Sequence, residues 1–448
     1  MAPEKSVSVE RLLGPTEDMY WRFDSVSPLN FGSVVHLQGA VNVSELRGAL
    51  VALQQRHPLL RVAIRADEKG APWFREVDSS ITLGLLTQAK GSEWALLEKE
   101  LNTPFETDVG PLIRCILVQH DHNNASLIST YHHAVCDGRS AVFLLRDILT
   151  SLAQLKKGEP ATLPTLAPVG YYGDRIPKMA QYADLDGLRT AWKTLQASVK
   201  FVGRAGLPKG IRNKSDLSLS AQELQVEPRV FDAALMQRIA HKAKQKGTSV
   251  QCVLNAALSL TVAQDSPASM FHATTSTQVL DIRARLIPPV GEDCGCFVSG
   301  STSMHRISPD NDFWSLAREI HTCMLETMET PLPFFHSATH KSYALLGRSM
   351  GNGNMKRFSQ MISKMHPEGL SVSNLGRVSI DVKDSPLQVT EFAFATNTNV
   401  LNYFNTSAAT FNGKLTWSFS GSSMLGRDRI RNIADGAMAN IMKALDQE

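Results

Sequence analysis

The sequence has little cysteine, little net charge and no long apolar run. Six cysteines in 448 residues are too few for a disulfide scaffold in a chain of this size. Cys294 and Cys296 form a C-x-C pair with no second pair to complete a zinc site, so no metal is expected. Lysine plus arginine total 46 against 43 acids, a formal charge of +3. A dedicated nucleic-acid binder carries a larger basic excess, so no nucleic-acid partner is expected. The longest apolar candidate, Val250 to Ala263, is broken by Gln251, Asn255 and Ser259. It falls short of the roughly 18 residues of a membrane helix. The opening Met1-Ala2-Pro3-Glu4-Lys5 carries an acid and leads into no apolar run, so no secretory leader is expected and the compartment is read as cytoplasmic.

What is present reads as a globular chain, 43% hydrophobic and 20% charged. Its length fits two domains of about 200 residues. Asn42, with Glu45 three residues on, opens a helix that carries Val43, Leu46, Leu50 and Leu53 and stops before Pro58. Val34–Leu37, Leu112–Val118 and Leu127–Tyr131 read as strands. Ser140–Leu155 reads as a helix with one apolar face. Lysine, glycine and proline crowd between Lys156 and Pro177, the best linker candidate. The second half repeats the mixture. Its helix candidates are Asp232–Lys244, Val250–Ala263, Phe313–Met328 and Arg427–Leu445. Its strand candidates are Phe271–Thr275, Val378–Val382, Phe392–Thr396 and Leu415–Ser420. The fold class is α/β, with two similar halves, 1–175 and 176–448, and a cleft between them.

The most informative segment is Tyr131-His132-His133-Ala134-Val135-Cys136-Asp137-Gly138-Arg139-Ser140, where a strand ends and a helix begins. Side chains alternate across a strand, so His132 and His133 point to opposite sides. One can face a cleft while the other packs inward. Gly138 is expected to permit a backbone conformation that other residues resist, and helix amides beyond the turn are candidates to receive negative charge. A histidine here suits a general base, because its pKa of about 6.5 lets it take and return a proton near neutrality. A purely structural histidine, a metal site through His133 and Asp137, and a Cys136 nucleophile are the competing readings.

His132-His133-x-x-x-Asp137-Gly138 resembles the HHxxxDG motif of the condensation-domain and chloramphenicol-acetyltransferase-like acyltransferases. Arg56-His57-Pro58-Leu59-Leu60-Arg61 is similar to their RHxxLR segment. Gly110-Pro111-Leu112 resembles the lead-in to the histidine strand. Asp281-Ile282-Arg283, Gly295-Cys296-Phe297 and Ser373-Asn374-Leu375-Gly376-Arg377 follow in the family's order. The resemblance implies an α+β sandwich of two pseudo-duplicated halves with a tunnel between them. It also implies His133 as general base, Asp137 turned from the cleft to pair with Arg283, and Asn374 lining the channel near the acyl carbonyl. The plant-type DFGWG segment is missing, Leu375-Gly376 lacks the proline of wax-ester synthases, and Phe297-Val298-Ser299-Gly300 departs from peptide-synthetase condensation domains. The best match is the stand-alone polyketide-associated group, similar to phthiocerol/phthiodiolone dimycocerosyl transferase and alcohol acetyltransferases.

That group implies ester formation by a monomer. The donor is an acyl thioester, either acyl-CoA or an acyl group on a phosphopantetheinyl acyl carrier protein, and the acceptor is a polyketide-type or fatty alcohol. No further cofactor is implied. An amide-forming condensation enzyme and a non-catalytic binding module are the alternatives. Lys200, Arg204, Lys209 and Arg212 lie in a run without acids and are candidate donor-phosphate contacts. Ordinary solvated surface is the competing reading. Gly347-Arg348-Ser349-Met350-Gly351 matches the G-x-S-x-G elbow of serine hydrolases. That fold needs an acid and then a histidine after the serine. Only His366 follows Ser349, with no acid between, so a flexible loop is expected there instead.

Overall fold

The computed structural model describes residues 9–177, 222–265, 273–330, 332–351, 354–365, 369–397 and 403–447, with isolated positions between 192 and 211. Two large open sheets organise it. The first has five strands, in the order Gln388–Asn397, Asn30–Gln38, Asn124–His132, Ile113–Gln119 and Thr82–Thr87. Its pairs are antiparallel except the last, which is parallel. The second has six strands, in the order Val298–His305, Thr274–Asp281, Leu370–Val378, Phe404–Phe411, Lys414–Ser422 and Leu224–Phe231. Leu370–Val378 runs parallel to both its neighbours and the other pairs are antiparallel. A three-stranded antiparallel sheet, Arg11–Leu12, Pro72–Glu76 and Val62–Ala66, flanks the first half. The architecture is α/β.

Each large sheet buries one face against helices. Val43–Arg56 and Gly138–Lys156 pack together over the first sheet and contribute Leu46, Leu50, Leu53, Leu145, Ile148 and Leu152 to its core. Asn42 accepts from the amides of Ser44 and Glu45 and so starts the first of these helices by side-chain capping. The Asn-x-x-Glu pattern supplies this half of a capping box. Val250–Asp265 is buried almost all round, between Phe313–Met328, Arg427–Leu445 and the second sheet, which explains why apolar residues occur on all its faces. Among the described residues no helix is long and apolar enough to cross a membrane.

The two halves are not separate along the chain. Gln388–Asn397 comes from the second half yet forms the edge of the first sheet, paired with Asn30–Gln38. Thr396 on that strand donates to Asn405 Oδ1 of the second sheet at 2.6 Å. The two sheets are therefore pinned at this strand, near the end that carries His133, since Thr396 pairs with Phe31 and Phe31 with Tyr131.

Several elements differ from expectation. Phe335–Met350 is a helix running through the G-x-S-x-G segment. Ser349 Oγ donates to Leu346 O at 2.7 Å on its exposed side. The expected flexible loop is thus a helix end, because Tyr343, Ala344 and Gly347 give it an inward face. The strand expected at Val378–Val382 lies earlier, at Leu370–Val378. The strand expected at Phe271–Thr275 continues to Asp281; Phe271 and His272 lie outside the described residues. Lys200, Arg204, Lys209 and Arg212 also lie outside them.

Gly110 supports the histidine strand from below. Its φ is +65°, a region that costs other residues energy, and a Cβ there would stand 2.5 Å from Val62 O. Two residues on, Leu112 O accepts the His132 amide at 3.0 Å. Gly110→Ala is expected to destabilise the fold by about 1–3 kcal/mol, measured by denaturant unfolding. A midpoint equal to that of the unsubstituted chain would contradict this account.

Candidate active site

The strand Asn124–His132 delivers the two histidines to the mouth between the sheets. Alternation sends them to opposite sides. His132 is fully buried; its Nδ1 accepts the Ala134 amide at 3.1 Å, and its Nε2 points toward Asp24 Oδ2 at 3.6 Å. It shapes the turn from behind. His133 starts that turn, with its amide held by Leu29 O at 3.2 Å. Its ring lines a cavity of about 220 Å³ between the sheets. Tyr20 and Phe31 flank the ring, with centroids 5.1 and 5.3 Å away. Nδ1 faces Cys296 Sγ at 3.9 Å, so Nε2 is the nitrogen left for a ligand. Burial lowers the His133 pKa below its ordinary value, and the opposing field of Asp137 does not cancel that. The imidazole is therefore neutral, and able to accept a proton, at pH 7.

Asp137 turns away from the cavity and is fully buried. Its Oδ1 accepts from the Ser140 amide at 2.8 Å and from Arg283 Nη2 at 2.9 Å, and its Oδ2 accepts from the Phe297 amide at 2.8 Å. Burial opposes ionisation, but Arg283 and the two amides outweigh it and hold the carboxyl below its usual range. Arg283 also donates to Ser140 Oγ at 2.7 Å and lies over the Phe297 ring at 4.6 Å. The Ser140 hydroxyl in turn donates to Gly295 O at 3.0 Å. One carboxylate thus caps the helix Gly138–Lys156, fixes the histidine turn and fastens both to the Asp281–Phe297 segment of the other half. It also takes up the Ser140 amide, one of the helix amides read as a receiver of negative charge.

Gly138 does not have a positive φ. Its lack of a side chain matters for space: a Cβ would come within 2.9 Å of the Leu375 side chain across the cleft. Asn374, beside Leu375 and lining the same cavity as His133 from the second sheet, accepts the Gly376 amide on its Oδ1 at 2.8 Å. That assignment leaves its NH₂ as a donor. The RHxxLR segment lies elsewhere. Arg56 and His57 both meet the buried Asp147, at 2.7 and 2.8 Å, and Arg56 and Arg146 reach Glu292 of the other half. This network clamps the back of the same helix. Cys136 is buried and its thiol is pushed well up by burial, which disfavours the thiolate a nucleophile needs.

Tyr20, His340 and Ser371 also line the cavity and were not foreseen. Tyr20 and Thr16 sit on the helix Pro15–Asp24, which Pro15 and the first-turn acids Glu17 and Asp18 signal in sequence. Thr16 Oγ1 lies 2.9 Å from His340 Nδ1 and 3.0 Å from the Tyr172 hydroxyl, closing the cavity at one end.

The family model described as "Condensation domain" matches residues 24–334, more than half of the chain. The chain is 25% identical over 403 residues to the beauvericin nonribosomal cyclodepsipeptide synthetase of Beauveria bassiana, a match covering 83% of this chain and 12% of that protein. It spans no more than 17% of the length of the first curated relatives it matches. Among solved structures it resembles the TRI3 trichothecene 15-O-acetyltransferase of Fusarium sporotrichioides, with a TM-score of 0.72 at 12% identity over 98% of this chain and 97% of that one. It also resembles polyketide synthase associated protein 5 of Mycobacterium tuberculosis, with a TM-score of 0.66 at 15% identity over 98% of each chain.

Replacing Asp137 with asparagine leaves Arg283 only the more distant, part-exposed Asp281 at 3.4 Å as countercharge and weakens two amide bonds. A loss of about 3–5 kcal/mol is expected for breaking such a pair. The linkage has a definite sign. A carboxyl whose folded pKa is depressed contributes stability above its unfolded value of about 3.9, and that stability is lost as pH falls through the folded pKa. Asp137→Asn should therefore be less stable at pH 7 and lose less on acidification. Denaturant midpoints for the two proteins that stay a constant distance apart from pH 7 to pH 3 would refute this.

Proposed function

Since the chain belongs to the condensation-domain family, we propose that it is an acyltransferase moving an acyl group from a thioester to a hydroxyl, with His133 as general base. The observation that carries this reading is a neutral imidazole in the wall of a cavity shared by both sheets, with the nearest carboxylate locked away behind it. The acceptor hydroxyl enters from one side of the cavity and the thioester carbonyl from the other. His133 Nε2 takes the hydroxyl proton as the oxygen bonds to the carbonyl carbon. The Asn374 NH₂ donates to the oxyanion that forms, a contact of a kind often worth about 3–4 kcal/mol. Collapse of the tetrahedral species breaks the C–S bond, and the histidine returns its proton to the departing thiolate. This cycle forms no acyl-enzyme and uses acyl-CoA or an acyl carrier protein as co-substrate.

An amine acceptor suits the same base, and an amide product is the second reading. Curated relatives named as peptide synthetases, phosphinothricin tripeptide synthetase among them, favour it. The acetyltransferase and polyketide-associated neighbours favour an ester on a polyketide-type or fatty alcohol. Intact-mass detection of acyl transfer, with paired alcohol and amine acceptors and both CoA and carrier-bound donors, separates the two. Ester product is expected; amide with no ester would move the chain to the second reading.

His133→Ala should remove about 10²–10⁴-fold of the turnover while leaving the circular dichroism spectrum unchanged. A folded variant with near-normal turnover would remove His133 from the mechanism. The acid limb of kcat/KM should have its midpoint below about 6.5, because burial depresses the His133 pKa, and activity should be level above it. A midpoint well above that value would point to a different base.

A further inference from the structure

A second cluster of chemistry-bearing side chains lies at the other end of the histidine strand. Ser126 and His133 are seven residues apart, roughly 20 Å along an extended chain. His36 pairs with Ser126 across adjacent strands of the first sheet. His120 follows the strand Ile113–Gln119, and Glu93 begins the helix Glu93–Asn102. One ligand atom from each of His36, Glu93 and His120 lies within 4.8 Å of the other two. His120 Nε2 is 3.0 Å and His36 Nδ1 is 3.7 Å from Glu93 Oε1. Ligands about 2.0 Å from a tetrahedral zinc stand about 3.3 Å apart, and the observed separations bracket that value.

The outer partners already orient the donors inward. His120 Nδ1 lies 2.9 Å from Gln88 O. A carbonyl only accepts, so Nδ1 carries the hydrogen and Nε2 turns a lone pair to the cluster. His36 Nε2 faces the Glu391 carboxylate at 3.7 Å, and its Nδ1 is the ring nitrogen turned to the cluster. Glu93 Oε2 accepts the Gly91 amide at 2.7 Å, so Oε1 is the oxygen aimed inward. Ser126 Oγ sits among them, 2.7 Å from His120 Nε2, 2.9 Å from His36 Nδ1 and 3.3 Å from Glu93 Oε1. Two acceptors, His120 Nε2 and Glu93 Oε1, thus stand 3.0 Å apart with one hydroxyl hydrogen between them, around a carboxylate only 2% exposed. Lys90 is nearby but lies against the outer Glu391, at 3.6 Å.

We propose that His36, Glu93 and His120, with the Ser126 hydroxyl as a fourth neighbour, bind one divalent transition-metal ion of the zinc class. Two imidazoles and one carboxylate are a borderline donor set suited to zinc. Gln88 O and Glu391 act as the outer shell that fixes the imidazoles. The site joins two central strands, the helix that packs on them and, through Glu391, the edge strand from the second half. Its role is to brace the first sheet far from His133.

The test uses the full chain stripped by chelator and titrated with zinc against a chromophoric competitor. One zinc per chain is expected. The pair His36→Gln and His120→Gln should weaken binding more than about 100-fold, and Glu391→Gln, altering a half-exposed outer partner, about 10–100-fold. Cys294→Ser and Cys296→Ser should bind as the unsubstituted chain does. A chain that takes up no zinc would overturn the proposal. So would binding that survives the histidine pair or disappears with the cysteines. Should the histidine pair fail to fold, unchanged affinity in Glu391→Gln overturns it equally.

Discussion

The contact between Asp137 and Arg283 is the constraint on which the site depends. Its partners span the chain: the histidine turn and helix on one side, the Asp281–Phe297 segment on the other. A buried pair of this kind adds little net stability, since desolvation consumes most of the attraction. Its value here is positional. Each Asp137 oxygen is committed to a backbone amide as well, so the carboxylate has one geometry. The turn that carries His133 inherits that geometry. A neutral pair of the same volume would leave the Ser140 and Phe297 amides without an acceptor, and the two halves free to shift at the cleft.

The rest of the fold supports the same junction from behind. Asp147, nearly three turns further along the helix, gathers Arg56, His57 and Arg146, and Glu292 brings the other half to the same arginines. Burial opposes the Asp147 charge, yet the His57 hydrogen bond and the arginines keep its pKa below the ordinary value. The helix Gly138–Lys156 is thus tied to the second half at its N-terminus by Asp137 and Ser140 and along its length by Arg146. The edge strand Gln388–Asn397 makes the reciprocal connection, from the second half into the first sheet. Two crossings in opposite directions explain why the cavity has a wall from each half, with His133 in one and Asn374 in the other.

Much of this was legible in sequence where periodicity and chemistry coincide. The helices Phe313–Met328 and Arg427–Leu445 are found at their expected bounds because each pairs a polar face with a regular apolar stripe. The HHxxxDG segment marked the turn, and the family resemblance it carried implied Arg283 as the partner of Asp137. What was not legible is mostly the second sheet. Thr274–Asp281, Val298–His305 and Leu370–Val378 are rich in serine and threonine, and polarity of that kind reads as loop. Yet Thr274, Thr275, Ser276, Gln278 and Ser301 are buried. Ser276 bonds to Asn255 at 2.8 Å and Gln278 Nε2 donates to Ser276 Oγ at 2.9 Å, so tertiary context carries polar strands that local pattern does not announce. Gly138 was misread for a related reason. Its constraint is the Leu375 side chain, more than two hundred residues away, and not its own backbone.

Those polar strands also bear on chemistry. A tunnel lined only by apolar groups would hold an acyl chain but would offer nothing to a carbonyl that gains charge. The wall opposite His133 carries Asn374, Ser371, Ser373 and Thr277, all on strands of the second sheet. The histidine side is instead aromatic, with Tyr20 and Phe31 against the ring. Burial on that side lowers the imidazole pKa, which suits the base of the proposed mechanism, while the polar side would offer that mechanism's oxyanion its donors. The same cleft therefore separates its two electrostatic tasks between the two halves. The Asp137–Arg283 contact, placed behind both, sets their distance without entering the cavity.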